Sequence, residues 1–217
     1  MARSSRSRLA PGLVAIVCVA AMTQISAHRR DEYLQAARID IEPERVTIEL
    51  DLTPGISVAA RVWSEIDTDR DGSVGPAEAR MYAERVLQDL SLSLDAEARK
   101  LSLDAAASRF PSMDAVMNGA GVIRLGFSAT LPARTGAHRR LVFRNDHHAD
   151  IGVYLANALM PETDLVKIGS QRRDFDQREI VIDYGAGTGS SANGLWFVGC
   201  VAVVLASFGF SLRRARR

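Results

Sequence analysis

The stretch RVTIELDL, residues 45–52, carries the clearest structural signal in the chain. Its residues alternate between apolar and polar from Val46 to Leu52. A period of two is typical of a strand with one buried face, because successive side chains point to opposite sides of a sheet. The preceding segment EYLQAARIDI predicts a partner strand, and the Glu-Pro-Glu sequence at residues 42–44 predicts the turn between them.

The strand pattern continues along the chain as far as residue 184. LSLSLD and RKLSLD flank residues 95–98 and predict a second hairpin. Further strand-like segments are VIRLGFSATL, RRLVFRN, IGVYLANAL, LVKIGSQ and REIVIDY. Eight or nine short strands separated by turns predict a mainly β domain over residues 28–184, folded as an antiparallel β-sandwich.

Two segments with helical periodicity interrupt the strands between residues 54 and 90. In residues 54–66 and again in residues 76–90, apolar side chains recur every three or four positions, which predicts two amphipathic helices. Thr53 is suited to be the N-cap of the first helix, with Pro54 at its first position. The sequence therefore predicts a helical insertion, at residues 54–90, between the second and third strands.

The segment between these helices, DTDRDGSVGPAE at residues 67–78, has the composition of a calcium-binding loop. Calcium takes about six to eight oxygen ligands, and a 12-residue loop supplies them from positions 1, 3, 5, 7, 9 and 12. Gly72 at position 6 permits the sharp turn, and Gly75 at position 9 leaves that ligand to water. The candidate protein ligands are Asp67, Asp69, Asp71, the backbone carbonyl of Ser73, and Glu78.

Loop and flanking helices together, at about residues 55–90, resemble an EF-hand. The resemblance implies bound Ca²⁺, with Glu78 as a bidentate ligand. EF-hands usually occur in pairs, whereas this chain has a single loop, which favours a structural calcium over a sensor that opens. The alternative is an Asp-rich surface turn that is stabilised by bonds between its side chains and its backbone.

The N-terminus has the three parts of a secretory signal peptide, at residues 1–27. Three arginines precede residue 9, an apolar run extends from Leu9 to Met22, and Ala27 is a small residue at the expected cleavage site. Cleavage there would make His28 the new N-terminus. An uncleaved anchor is the alternative.

The C-terminus predicts one membrane span. A flexible linker at residues 185–194 leads to Leu195–Leu212, which is 18 residues long and has no charge, and to a basic tail at residues 213–217. The positive-inside rule places the tail in the cytoplasm and the main domain on the extracytoplasmic, periplasmic side of the cell membrane. A processed sorting signal is the alternative to a permanent anchor.

Charge and cysteine content exclude several classes of function. Of the 27 Lys and Arg, three precede residue 9 and four follow residue 212, whereas all 26 Asp and Glu lie between residues 28 and 194, which leaves that segment with a charge of −6. An acidic domain repels nucleic acid. The two cysteines, Cys18 and Cys200, lie in the signal peptide and the span, which excludes thiol chemistry in the domain. No hydrolase motif is present, and we expect no enzymatic activity.

Three histidines raise a second metal hypothesis. His28, as a new N-terminus, would offer an α-amine and an imidazole, and imidazole suits nickel, copper and zinc. His147 or His148, in the sequence NDHH, would supply a third nitrogen if this segment lies beside the N-terminal strand. The alternative is a solvated polar turn at NDHH and a merely coincidental histidine at the cleavage site.

The domain is also similar to the exported N-terminal region of HupE/UreJ-type proteins. The similarity lies in the layout and in AHRRDEYLQA and YLANALMP, and it spans about residues 27–184. It implies a link to nickel handling at a membrane. We therefore expect a calcium-binding, membrane-anchored interaction module that contacts another envelope or membrane protein. The alternative is an accessory protein for nickel or copper handling, and a hydrolase is a third possibility with no motif in its favour.

Overall fold

The computed structural model describes residues 31–132 and 137–186. Within these ranges the chain forms ten strands and three helices. The strands are β1 (Tyr33–Ile41), β2 (Arg45–Pro54), β3 (Leu90–Leu94), β4 (Glu97–Ala98), β5 (Ser102–Arg109), β6 (Ile123–Thr130), β7 (Ala137–Asn145), β8 (Gly152–Ala158), β9 (Val166–Arg173) and β10 (Glu179–Ala186). The helices are α1 (Ile56–Ile66), α2 (Pro76–Gln88) and α3 (Met113–Met117).

The strands form two five-stranded sheets, which confirms the mainly β, two-sheet fold predicted from the alternating segments. The first sheet has the order β5-β6-β2-β1-β8, and the second has the order β4-β3-β7-β10-β9. Helices α1 and α2 lie in the chain between β2 and β3 and so connect the first sheet to the second.

One strand pair departs from the predicted antiparallel arrangement. β1 and β8 are parallel, with Tyr33 opposite Gly152 and Ile39 opposite Ala158. The other pairs among the described strands are antiparallel. β7 and β8 belong to different sheets, so the chain crosses between the sheets at residues 146–151 and enters the first sheet in the same direction as β1.

The predicted second hairpin is reduced to two residue pairs. β3 pairs with the short β4 only at Ser93–Ala98 and Leu94–Glu97. The chain then leaves the second sheet, and β5 pairs with β6 in the first sheet, where Leu103 lies opposite Phe127. Local alternation predicted β3 and the start of β5, but it could not show that they belong to different sheets.

The start of α1 also differs from the prediction. Pro54 is the last residue of β2 and pairs with Tyr33, so it does not open the helix. Gly55, in extended conformation, takes the N-cap position without a side-chain hydrogen bond. Thr53 therefore has no capping role.

The core lies between the sheets and under the two long helices. In β2 every second residue is buried, as the alternating sequence requires. β1 has the same burial pattern, although its buried positions include the polar Gln35. Burial of one such aliphatic or aromatic side chain stabilises the fold by roughly 1.5–3 kcal/mol. Core residues with no exposure include Ile48, Leu50, Phe127, Leu141, Phe143, Ile182, Val62, Ile66 and Val86.

The strand register defines two ends of the sandwich, and the first is called the helix end here. At this end β1 begins and β2 finishes, with Tyr33 opposite Pro54, and α1 follows directly. Asn145, the last residue of β7, donates a 2.8 Å hydrogen bond from Nδ2 to Oε1 of Gln35 in β1. This bond brings the end of β7, in the second sheet, to the same end of the molecule.

The opposite end is called the exit end, because β10 finishes there. Ala186, the last residue of β10, lies opposite Val166, the first residue of β9. Arg139, near the start of β7, donates a 2.7 Å hydrogen bond from Nη1 to the carbonyl oxygen of Pro132, just beyond the end of β6. The two sheets therefore share this end as well.

No helix within the two described ranges is long and apolar enough to span a membrane. Several predicted features lie outside those ranges: the signal peptide (1–27), His28, most of the linker (187–194), the span (195–212) and the tail (213–217).

Candidate metal site

The candidate site is the segment between α1 and α2. Helix α1 ends at Ile66, and Asp67 caps it, donating its backbone N–H to the carbonyl oxygen of Trp63 at 2.9 Å. Helix α2 begins at Pro76, where a missing N–H costs nothing because the first turn has no partner for it. Residues 67–75 therefore form a short loop with a helix at each end.

Asp67 organises the first half of this loop from a buried position. Its Oδ1 accepts the backbone N–H of Asp71 (3.1 Å), and its Oδ2 accepts the backbone N–H of Gly72 (3.0 Å). Oδ2 also accepts the indole N–H of Trp63 at 3.0 Å. Arg70 and Gly72 have φ angles of 62° and 84°, so the loop turns through left-handed conformations at both positions.

Glu78 closes the loop from the other side. Its Oε1 accepts the backbone N–H groups of Thr68 (2.6 Å) and Asp69 (3.2 Å), and also the Thr68 hydroxyl (3.0 Å). Its Oε2 accepts the backbone N–H of Gly75 at 3.0 Å, which is one half of a capping box at the start of α2. The carboxylate of position 12 thus lies directly against the beginning of the loop.

Three carboxylates converge inside the loop. Oxygen atoms of Asp67, Asp69 and Asp71 lie within 4.8 Å of one another. Asp71 donates its N–H to Oδ1 of Asp69 (3.1 Å), and Ser73 donates its N–H to Oδ1 of Asp71 (2.7 Å), so backbone bonds hold the side chains in this arrangement. A cluster of this kind can bind a metal ion.

The protonation behaviour of the loop reflects its crowding. The N–H of Asp71 favours the Asp69 carboxylate, but desolvation and the negative charges of Asp71, Glu78 and Asp67 outweigh it and raise the pKa of Asp69. In Glu78 the N–H groups of Gly75 and Asp69 dominate and lower the pKa. The loop therefore holds several negative charges that repel one another at neutral pH and that a cation would neutralise.

Packing fixes the loop between two apolar clusters. Val74, at position 8, is half-buried and packs against the main core. It also packs against a smaller cluster formed by Ala59, Trp63 and Val116. Helix α3, which carries Val116, was absent from our expectations because its five residues are too short to show a periodicity.

The predicted ligands are thus only partly assembled. Asp67, Asp69 and Asp71 come together, and Ser73 lies in the same loop. Glu78 is beside them, but its oxygens accept backbone N–H groups. His147 and His148 were predicted to join His28 in a separate transition-metal site. They lie beside β1, with ring centroids 6.1 Å and 5.7 Å from that of Tyr33, and His28 lies outside the described residues. In the described part of the chain, the three aspartates are the one group of three or more His, Cys, Asp or Glu residues whose ligand atoms lie that close together.

His147 is instead the centre of a buried polar network at the helix end. Its Nδ1 lies 2.7 Å from Oδ2 of Asp89, which follows α2, and its Nε2 lies 3.4 Å from the hydroxyl of Tyr82. Tyr82 in turn shares a 2.6 Å hydrogen bond with the hydroxyl of Tyr33. Burial lowers the pKa of His147 and outweighs the opposing effect of Asp89. The ring is therefore neutral near pH 7.

The backbone N–H and carbonyl groups of His147 also form hydrogen bonds. Its carbonyl oxygen accepts hydrogen bonds from Nε2 of Gln35 (2.7 Å) and from the hydroxyl of Tyr154 (2.7 Å). Its N–H donates to Oδ1 of Asn145 (2.9 Å). These bonds fix the turn that crosses from the second sheet to the first.

His148 connects the same turn to the other helix. Its Nε2 lies 3.0 Å from Oε2 of Glu65 on α1, and its ring centroid lies 4.3 Å from that of His147. The backbone of His148 has a φ of 49°, as a tight turn requires. Together the two histidines hold both helices that flank the acidic loop against the sandwich.

Several residues of these sites have no signal in the sequence. Thr68, which donates twice to Glu78, lies between ligand positions and has no expected role in the motif. Trp63 lies on the apolar face of the predicted helix, four residues before Asp67. A buried indole N–H needs a hydrogen-bond partner, and this requirement is the one indication in the sequence that Trp63 contacts Asp67. Asp89 and Glu65, the partners of the histidines, resemble ordinary surface carboxylates in the sequence.

No protein-family model matches the chain, and no curated protein matches its sequence significantly. The function must therefore be inferred from the residues themselves.

Proposed function

We propose that this protein binds one calcium ion in an EF-hand-type loop formed by residues 67–78. The observation that carries the proposal is the convergence of Asp67, Asp69 and Asp71 between two helices. The position-12 carboxylate, Glu78, lies against the start of the loop through its bonds to Thr68 and Asp69, and it would exchange these backbone N–H groups for the ion.

The chemistry of the donors favours calcium over transition metals. All candidate ligands are oxygens, which suit calcium and magnesium, whereas nickel and copper prefer nitrogen and sulfur. A loop of 12 residues with water at one corner suits the larger, more flexible coordination of calcium. His147 and His148 direct ring nitrogens to Asp89, Tyr82 and Glu65, so nickel or copper handling depends on His28 and stays a prediction.

Calcium here has a structural role. A sensor must let its two helices separate, but α1 and α2 are each tied to the 146–151 turn, through Glu65 and through Asp89. Arg85 of α2 also lies 3.9 Å from Glu65 of α1. A bound ion would add one more link and would remove the repulsion among the loop carboxylates.

The domain acts at a membrane, on this proposal, as an extracytoplasmic interaction module rather than as an enzyme. Support comes from the basic and apolar N-terminal segment, the uncharged run at residues 195–212 and the four arginines after it. Extracellular calcium sites have dissociation constants of about 10⁻⁴–10⁻³ M, which is the modest affinity that we expect of a single loop. The partner we expect is another envelope or membrane protein.

Terbium luminescence tests the metal site directly. Terbium binds calcium sites, and the Trp63 indole, 3.0 Å from Oδ2 of Asp67, should transfer excitation to it. We expect strong terbium emission on tryptophan excitation of the full chain in detergent, and loss of that emission when calcium is added. Trp63→Phe should abolish the emission, whereas Trp196→Phe should leave it. Absent emission, or emission that calcium does not displace, would reject the site.

Reporter fusions test the membrane topology. A reporter active only in the periplasm should be active when it is fused at Gly189 and silent when it is fused after Arg217, because the positive-inside rule keeps the arginines in the cytoplasm. The reverse pattern would reject the extracytoplasmic location and would leave the metal site unaffected.

A further inference from the structure

The loop between β8 and β9 exposes apolar side chains at the exit end. Leu159 and Leu165 are exposed, and Met160 keeps 87% of its surface exposed. The loop is held in place on the sandwich, because the N–H of Leu159 donates to the carbonyl oxygen of Ile39 at 2.8 Å. The exposed Met160, with an exposed Leu on each side of it in the same loop, is a candidate contact for an apolar partner.

The chain leaves the sandwich beside this loop. Leu165 immediately precedes Val166, and Val166 lies opposite Ala186, the last residue of β10. Residues 187–194 then separate Ala186 from the uncharged run that begins at Leu195. Eight residues span at most about 29 Å when fully extended. A membrane span at residues 195–212 would therefore keep the exit end close to the bilayer surface.

We propose that the loop at residues 159–165, here called the 159–165 loop, contacts the lipid bilayer and turns the exit end of the domain towards it. This inference rests on the membrane anchor of the proposed function. It also has a consequence for the metal site: α1, α2 and the acidic loop follow the helix end, so they face away from the lipid. A partner would reach the calcium loop from the aqueous side.

The charges around the loop define the kind of lipid contact. Glu162 and Asp164 are exposed in the same loop, and Lys167 follows in β9. Two acidic groups beside one basic group give no attraction to anionic headgroups. The contact therefore depends on insertion of Met160 and its leucine neighbours into the interface, and it should occur on zwitterionic bilayers.

Phe175 provides a matched control position. It is 100% exposed, as Met160 nearly is, but it lies in the turn between β9 and β10. β9 starts at the exit end and is eight residues long, so this turn is at the helix end. The two positions are therefore similarly exposed but lie at opposite ends of the sandwich.

The test measures the distance of each position from lipid. The full chain, with Cys18→Ser and Cys200→Ser, is placed in phosphatidylcholine vesicles that carry a headgroup-attached nitroxide quencher. A fluorophore is attached to Met160→Cys or to Phe175→Cys. We expect quenching of the Met160 label to be several-fold stronger than that of the Phe175 label, and to change little when anionic lipid is added.

The outcomes separate this inference from the anchor itself. Protein that floats with the vesicles but shows equal quenching at both positions would overturn the 159–165 contact and retain the anchor. Quenching at Met160 only with anionic lipid would overturn the apolar mechanism. Protein that does not float with the vesicles would overturn the anchor, and with it the contact.

Discussion

Saturating calcium should raise the melting temperature of the protein by about 3–11 °C, and Glu78→Gln should remove most of this rise. Glu78 is the proposed bidentate ligand, and its replacement removes a negative charge where the ion would lie. Calcium that binds only the folded state stabilises it by mass action. The measurement is thermal unfolding of the full chain in detergent, with calcium and with chelator.

The size of the rise follows from the affinity expected of an extracellular loop. With a Kd of about 10⁻⁴–10⁻³ M, about 10 mM calcium is roughly 10–100 times Kd and contributes about 1.4–2.7 kcal/mol. In a domain of this size, 1 kcal/mol changes the melting temperature by about 2–4 °C.

For each variant, the melting temperature in calcium must be compared with that in chelator, because Glu78 also stabilises the loop when no calcium is bound. Its oxygens accept the N–H groups of Thr68, Asp69 and Gly75, and a glutamine cannot accept at both positions. Glu78→Gln should therefore melt lower than wild type even in chelator. The calcium-dependent rise, measured within each variant, isolates the metal.

Glu84→Gln is the matched control. Glu84 lies on the same helix, and its exposed ion pair with Arg80 (2.8 Å) adds little to stability. We expect this variant to retain the full calcium-dependent rise. If Glu78→Gln retains it too, the ion does not use position 12 and the EF-hand proposal fails.

The fold could be predicted from the sequence as far as local patterns extend. The alternation in RVTIELDL became β2, with each apolar residue buried, because the period of a strand is a local property. The pairing of strands is not local. Nothing within Ser102–Arg109 shows that it pairs with β6 and not with β3, and the parallel contact of β1 with β8 joins segments more than 100 residues apart.

In the candidate metal site and the histidine network, too, contacts between residues close in sequence could be predicted and contacts between distant residues could not. Spacing alone predicted that Asp67, Asp69 and Asp71 would converge, because a loop of 12 residues keeps its ligands close in sequence. The role of His147 could not be predicted, because its partners Asp89, Tyr82 and Gln35 are 58, 65 and 112 residues away. A histidine pair in a polar segment gave no indication of burial.

Acidification below about pH 6.5 should destabilise the protein through His147. Burial holds the folded-state pKa below the ordinary value, so the folded ring stays neutral while the unfolded ring takes up a proton. The contribution of His147 to stability is then constant above the unfolded pKa and falls as the pH drops below it, by up to about 1.4 kcal/mol per pH unit. The groups around the ring are Asp89, Glu65, His148, Tyr82 and Tyr33.

His147→Gln should cost about 1–3 kcal/mol at neutral pH, because Asp89 and Tyr82 lose a well-placed partner inside the protein. It should also flatten the pH dependence, because glutamine does not titrate. Denaturant unfolding between about pH 7.5 and pH 5.5 measures both effects. For His138→Gln, at an exposed position, the free energy of unfolding should stay within about 0.5 kcal/mol of wild type. Its dependence on pH should be that of wild type. Equal slopes for wild type and His147→Gln would show that the buried ring is not the group whose protonation destabilises the fold.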